Sequence, residues 1–349
     1  MQNSTENRPL RDWLDAPIYR GITTGLNEAF VLDQATRDAI IAKEPAAAAF
    51  IKPFLRGEDV QRWMYQTSGK WIIFAKRGLN IEQLPTIKAH FAQFRDQLEP
   101  KPKDWDDSKP WIGRKSGMYQ WYEIQDSIDY YKVFDQAKIF WPDIAKLPRF
   151  SWNQTGNLVN DKGSLIVTND QFVLGMLQSR VIWFAISQMC VPLRLRAGLW
   201  QYQLKSQFIS RLPIPTPTDD VRAIIAQLAQ EISANAKARY ALHERVRRRI
   251  SQDLGGGGKL NQKLSAWWER DFAGFRAEIH KHWKTDIPLR DRDDWQEWLA
   301  VQRANHAQFT AAIIAGETHL NAQVYGLFGL SAAEIALIEA STKYEYGEV

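Results

Sequence analysis

The sequence predicts an α+β protein, a mixed α/β region with long loops followed by an antiparallel α-helical module. Short apolar runs separated by Gly, Pro and Asn dominate the first two thirds of the 349 residues. Amphipathic stretches rich in strong helix formers dominate the rest. Between them lies LPIPTPTDD (212–220), whose alternate prolines force an extended path before Asp219 or Asp220 can cap a helix. The expected units are therefore 1–217 and 218–349.

In the first unit, helices are expected over 34–44 and 81–98, and strands over 71–75, 138–141, 164–167 and 193–195. Gly156, Asn160 and Gly163 fit turns around the short strands. VLGMLQSRVIWFAISQMC (173–190) reads as one apolar helix, the buried spine of this unit. Its length and the charged Arg180 argue for a core helix rather than a membrane span. In the second unit, a helix follows the prolines and stops at four glycines, 255–258, which cannot continue it cheaply. A second helix is expected over 260–284, a third over about 292–325 after Pro288, and a last one over 331–341. Ser331 caps that last helix and Glu334 completes a capping box. Trp267, Trp268, Phe272 and Phe275 follow helical spacing and are expected to pack the helices together.

Composition narrows the function classes. The chain is 45% hydrophobic and 24% charged, an ordinary globular balance. A single cysteine excludes a disulfide framework and a four-cysteine metal site. There is no uncharged apolar run of 18 residues, and MQNSTENRPLRDW lacks an apolar signal core. A cytoplasmic protein without a membrane span is expected. Residues 1–217 carry 28 Lys/Arg against 22 Asp/Glu, whereas 218–349 carry 17 against 18. The basic excess of the first unit suits a polyanion, or simply solubility. Fifteen tryptophans imply dense cores, stacking surfaces, or both.

Catalytic patterns are missing. The glycine run at 255–258 lacks phosphate-loop spacing and sits between helices, and neither GxGxxG, HExxH nor GxSxG occurs. His280 and His282 are two apart on a helix and point to different sides. DWDD (104–107), among prolines and lysines, reads as a hydrated loop. Asp143 and Lys146 could belong to a nuclease centre, but no second strand acid stands at an informative spacing. No catalytic or metal-ligating residue is assigned.

Basic and aromatic residues interleave instead, at 56–63, 70–77, 109–121 and 146–152, and Arg194 and Arg196 lie close to Trp200. Lys and Arg hold phosphates, Arg, Asn and Gln read base edges, and rings stack on exposed bases. Trp71, Trp141 and Trp183, inside apolar runs, are expected in the core. For Trp111, Trp121 and Trp152, which sit in loops, core and interface readings stand side by side.

These segments carry a family resemblance. YRGITTGLNEAFVLD (19–33), IKPFLRGEDVQRW (51–63), KIFWPDIAKLPRFSW (138–152) and QFISRLPIP (207–215) resemble, in order, the C-terminal target-recognition region of TaqI-like and Eco57I-like adenine-specific DNA methyltransferases. The tail segments 260–279, 286–299 and 337–349 resemble the C-terminal end of type IIG restriction–modification fusions. The resemblance implies a specificity domain that holds double-stranded DNA and reads its bases. It implies a partner methyltransferase, with or without a nuclease, that binds S-adenosylmethionine and flips an adenine. Neither an Asn/Asp-Pro-Pro-Tyr motif nor an upstream glycine-containing cofactor motif is present. The chain therefore reads as the specificity portion or subunit of a larger enzyme, needing no cofactor of its own.

Within that frame Lys76, Arg77, Arg114 and Lys115 are the leading DNA contacts, because Gly78, Gly113 and Gly117 suggest exposed loops. Arg149 and Trp152 are base-side candidates, Trp152 as a wedge or stack. Arg56 and Arg62 could hold phosphate, or pair with Glu58 and Asp59. Gly21, Thr23, Thr24, Gly25 and Asn27 could touch the DNA backbone at the junction with the catalytic part, or form a structural turn. Arg245, Arg247, Arg248 and Arg249 could meet DNA or end a solvated helix. The alternatives are a module that docks a methyltransferase or phage protein without binding DNA, and a divergent Mg-dependent nuclease.

Overall fold

A computed structural model describes residues 7–348. Two small four-stranded sheets form the heart of the first unit. One runs Tyr19–Arg20, Gly163–Val167, Lys138–Pro142, Ser151–Asn153, all antiparallel. The other runs Val31–Leu32, Trp71–Ile73, Ile51–Leu55, Leu158–Val159, with only the last pair parallel. KIFWP (138–142) is buried along its whole length, as a central strand covered on both faces must be. Lys138 lies there because its ammonium donates to the carbonyls of Phe134, Gln136 (2.9 Å) and Thr155 (2.7 Å); burial lowers its pKa to about 8. A third sheet joins the hairpin Val191–Arg196 and Leu199–Gln203 to Ile144–Ala145. The prolines before residue 217 form the strand Pro213–Pro215, whose single partner is Asn7–Pro9; Pro, lacking an N–H, tolerates such an edge.

The sequence-predicted helices are present, but three are segmented. The 81–98 stretch splits into a 3-10 turn Ile81–Gln83 and helices Pro85–Ala92 and Arg95–Leu98. Pro85, without an N–H to donate, starts a helix rather than continuing one. The apolar spine is two helices, Gln171–Gln178 and Arg180–Met189, bent by 65°. Ser179 causes the break: its hydroxyl accepts from the Ile182 N–H as an N-cap, so the chain restarts there. Among the described residues no single helix is long and apolar enough to cross a membrane, and the bent pair is mostly buried in the protein. The 260–284 stretch divides into Gln262–Ser265, a 3-10 turn Trp267–Glu269, and Phe272–Trp283, where Asp271 caps the last piece. Ala332–Ser341 carries the Ser331–Glu334 capping box.

Two 36-residue helices, Asp219–Leu254 and Arg292–Leu327, organise the second unit. They are antiparallel: Arg239 meets Thr310, His243 meets His306, and Arg245 meets Gln302. At one end they share an apolar cluster with the spine, in which Phe172, Met176 and Ile182 join Ile225, Ile232, Leu320 and Val324. Gly175 makes the approach possible, since a Cβ there would stand 2.6 Å from Ile225 Cγ2. At the other end Trp267, Phe275, Ile279 and Leu299 build a separate core. The ion pair between Arg62 and Glu317, both side chains fully buried, ties the loop after Ile51–Leu55 to the second long helix.

Between these ends a cleft of about 480 Å³ opens beside stacked rings. His243 Nε2 lies 2.9 Å from His306 Nδ1, and the Trp268 ring covers both at 4.0 and 4.8 Å. Burial, reinforced by the His306, Arg247 and Arg239 charges, pushes His243 down to about 3. Burial and Arg239 push His306 down to about 4. Both imidazoles stay neutral in the fold, whereas an unfolded chain takes up their protons near pH 6.5. The stability they confer is therefore complete above about pH 6.5 and falls as pH drops toward 4. The Tm should decline between pH 7.5 and 5, and less steeply in a His243→Gln/His306→Gln variant. An equal slope in both proteins would remove this pair as the source.

Candidate nucleic-acid interface

Several sequence-derived candidates converge on one loop, residues 114–126. Arg114 is its hub. Its Nε donates to the Leu98 carbonyl (2.8 Å), Nη1 to those of Thr24 and Glu123 (2.8 Å each), and Nη2 to those of Trp121 (2.9 Å) and Gln120 (3.3 Å). Arg77 donates to the carbonyls of Met118 and Gln125, the second at 2.8 Å. Lys115 pairs with Asp126 at 3.1 Å. Burial raises the Asp126 carboxyl, but hydrogen bonds from Lys115 and Thr23 outweigh it, and its pKa is lowered. Lys76 is exposed, its ammonium 3.2 Å from the Tyr131 hydroxyl and 4.3 Å from the ring centre.

The glycine-flanked loop therefore does not present all its cations. Arg114 is 3% exposed, and burial lowers its guanidinium pKa to about 10. It is committed to carbonyls and corrects the expectation of a groove contact. Arg62 is likewise buried, paired with Glu317 and not with Glu58 or Asp59. Arg56 takes both of those acids, at 2.5 and 3.4 Å. Trp152 is 6% exposed and pairs across the sheet with Ile139, so it is a core residue and no wedge. Arg149 is half-buried, and burial lowers its pKa against the opposing charge of Glu348. Trp141 and Trp183 are in the core; Trp71 is only half-buried, under the Arg37 guanidinium at 3.9 Å. Of the basic run, Arg245 and Arg247 take protein partners, Gln302 Oε1 and the Ser265 carbonyl, each at 3.0 Å, and Arg249 pairs with Asp253.

Thr23, Thr24, Gly25 and Asn27 line a cleft of about 440 Å³ with Asp161 and Lys162. Gly25 has a φ of 83°, the left-handed region that favours glycine. Gly21 lies beneath, and a Cβ on it would stand 1.9 Å from the Asn160 carbonyl oxygen. Gly21 therefore allows a close backbone approach that any side chain would block. Lys162 connects this cleft to the hairpin: its carbonyl accepts from the Asp143 N–H, and that of Asp143 accepts from the Leu204 N–H, both at 2.8 Å. Burial raises the Asp143 carboxyl while Arg20 and Lys162 pull it down. The hairpin itself lies outside the leading candidates, although Arg194, Arg196 and Trp200 form a basic–aromatic group in the sequence. Its exposure is what the sequence did not reveal. Leu193, Leu195 and Trp200 are 42%, 58% and 48% exposed.

Residues 52–214 match the family model of the TaqI-like C-terminal specificity domain. The resemblance read in the sequence is borne out over that span, which begins after the 19–33 block. Residues 218–324 match a domain of unknown function, DUF8810. Among solved structures, the type IIL restriction–modification enzyme MmeI in complex with DNA has a similar fold. It aligns with a TM-score of 0.52 at 12% identity, over 98% of this chain and 36% of that one. The type IIG restriction endonuclease BpuSI aligns with a TM-score of 0.41 at 11% identity, over 86% of this chain and 31% of its own. The chain thus spans about a third of the length of each.

Proposed function

We propose that the chain is the DNA-recognition part of a restriction–modification enzyme. It would bind double-stranded DNA sequence-specifically and present it to an adenine-specific methyltransferase carried on another domain or subunit. The match of residues 52–214 to a specificity-domain family carries this reading. The basic excess of residues 1–217 and the exposed Lys76, Lys115, Lys162 and Lys205 support it. Residues 1–217 would form the recognition unit and 218–349 a scaffold or docking module, acting in the cytoplasm. S-adenosylmethionine belongs to the partner in this scheme. What supports this is the sequence, which holds neither the upstream glycine-containing cofactor motif nor the Asn/Asp-Pro-Pro-Tyr motif that would grip the flipped adenine.

Binding to a fluorescent 30-bp duplex should weaken steeply with salt. If about three phosphates are neutralised, affinity falls about 40-fold between 50 and 200 mM salt. Lys76→Ala should weaken binding at every salt. Salt-independent binding, or none at 50 mM, would sink the reading. Association with a methyltransferase subunit without DNA binding would favour the docking alternative instead.

A further inference from the structure

Residues 191–203 form a two-stranded ribbon fastened only at its root. There Tyr202 and Gln203 pair with Ala145 and Ile144, and the Tyr202 ring meets Trp183 edge-on at 5.8 Å. Beyond that root neither strand has another strand neighbour among the described residues, and 191–198 are all exposed. Ala197 and Gly198 turn the chain with φ of 50° and 77°; positive φ at both positions matches the twist of a tight hairpin.

The register separates two faces. Arg194 stands opposite Gln201 and Arg196 opposite Leu199, while Leu195 stands opposite Trp200 on the other side. Arg194 Nε donates to Gln201 Oε1 at 2.6 Å, which holds the guanidinium along the ribbon. The Arg196 guanidinium has no ion-pair or hydrogen-bond partner among the described residues. No acid occurs between Asp170 and Asp219, a stretch holding Arg180, Arg194, Arg196, Lys205 and Arg211. Among the described residues only Arg180 is neutralised, by Glu339 at 2.8 Å. The ribbon therefore projects positive charge with no carboxylate of its own.

We propose that this ribbon enters the major groove of duplex DNA, with Arg194 and Gln201 toward base edges and Arg196 against a phosphate. The inference rests on the DNA-recognition reading and names the element that reads. A groove about 12 Å wide admits a two-stranded ribbon. Arg pairs bidentately with guanine and Gln with adenine, and the two are adjacent here on one face. Leu195 and Trp200 stand opposite each other across the strands and offer apolar contact to thymine methyls and sugars. Charge complementarity favours DNA over a protein partner.

The test uses the full chain, immobilised, and a pool of 30-bp duplexes with a randomised core, sequenced before and after capture. Wild type enriches a sequence. Arg194→Ala relaxes selection at one or more positions by about tenfold to a hundredfold. Arg196→Ala weakens binding to all sequences and lowers the salt slope by about one. Both side chains are on an exposed ribbon, and unchanged circular dichroism and Tm would verify folding. Unaltered selection and affinity in both variants overturns the ribbon proposal while leaving DNA recognition in place. A wild-type chain that enriches nothing overturns both. Retained selection with lost binding to a co-expressed methyltransferase subunit assigns the ribbon to a protein interface, which also overturns the proposal.

Discussion

Arg62→Ala should lower folding stability by about 3–5 kcal/mol in urea unfolding. Neither Arg62 nor Glu317 reaches solvent. Glu317 also accepts from the Trp63 indole at 2.5 Å and the Gly347 N–H at 2.7 Å, and Arg62 donates to the Gln178 carbonyl at 3.2 Å. The Tyr344 ring lies 4.6 Å from the guanidinium. Removing the cation strands a carboxylate in a site built to exclude water, and that accounts for the magnitude. Arg62→Met with Glu317→Leu should regain part of the loss, because an apolar replacement removes both desolvated charges. Recovery stays incomplete, since the Trp63 and Gly347 donors lose their acceptor. A loss below about 1 kcal/mol for the single variant would mean that water reaches the pair and screens it.

Arg114→Lys should be almost as damaging, by about 3 kcal/mol, although it keeps the charge. The guanidinium satisfies five carbonyls arranged around its fork. A lysine offers three donors from one point and leaves buried carbonyls unpaired, at roughly 1–3 kcal/mol each. Amide exchange should quicken across 99–126 before it changes elsewhere. This substitution also separates two roles. If Arg114 held a phosphate, lysine would preserve DNA affinity and local order; normal exchange with normal binding would contradict the buried-hub role.

These two arginines also mark where sequence reasoning stopped. Arg114 stands between glycines in a polar loop, and the carbonyls of Thr24 and Leu98, brought in by the fold, join three from its own loop in drawing it inside. Arg62 lies near two acids in sequence, yet its partner is 255 residues away. Local signals fared better. The Ser331–Glu334 box, the helix after the prolines and the buried 138–142 strand follow from nearby residues alone. Ser179 shows the middle case: a cap signal was present, but the apolar periodicity on both sides hid the break. The hairpin was legible only as a short strand. What makes it a candidate reader is the lack of neighbours, a property of the assembled fold.

The shared cluster around Phe172, Ile182, Ile225 and Leu320 bears on where this chain could be cut and recombined. A graft cut in the proline segment near residue 217 would sever covalent continuity at one point but tear a common interior along its length. Each half would then expose a raw apolar face shaped for its own counterpart. Transplants that carry the spine together with both long helices keep that seam closed. Exchanging the 191–203 ribbon alone avoids it altogether, because the ribbon touches the interior only through its root.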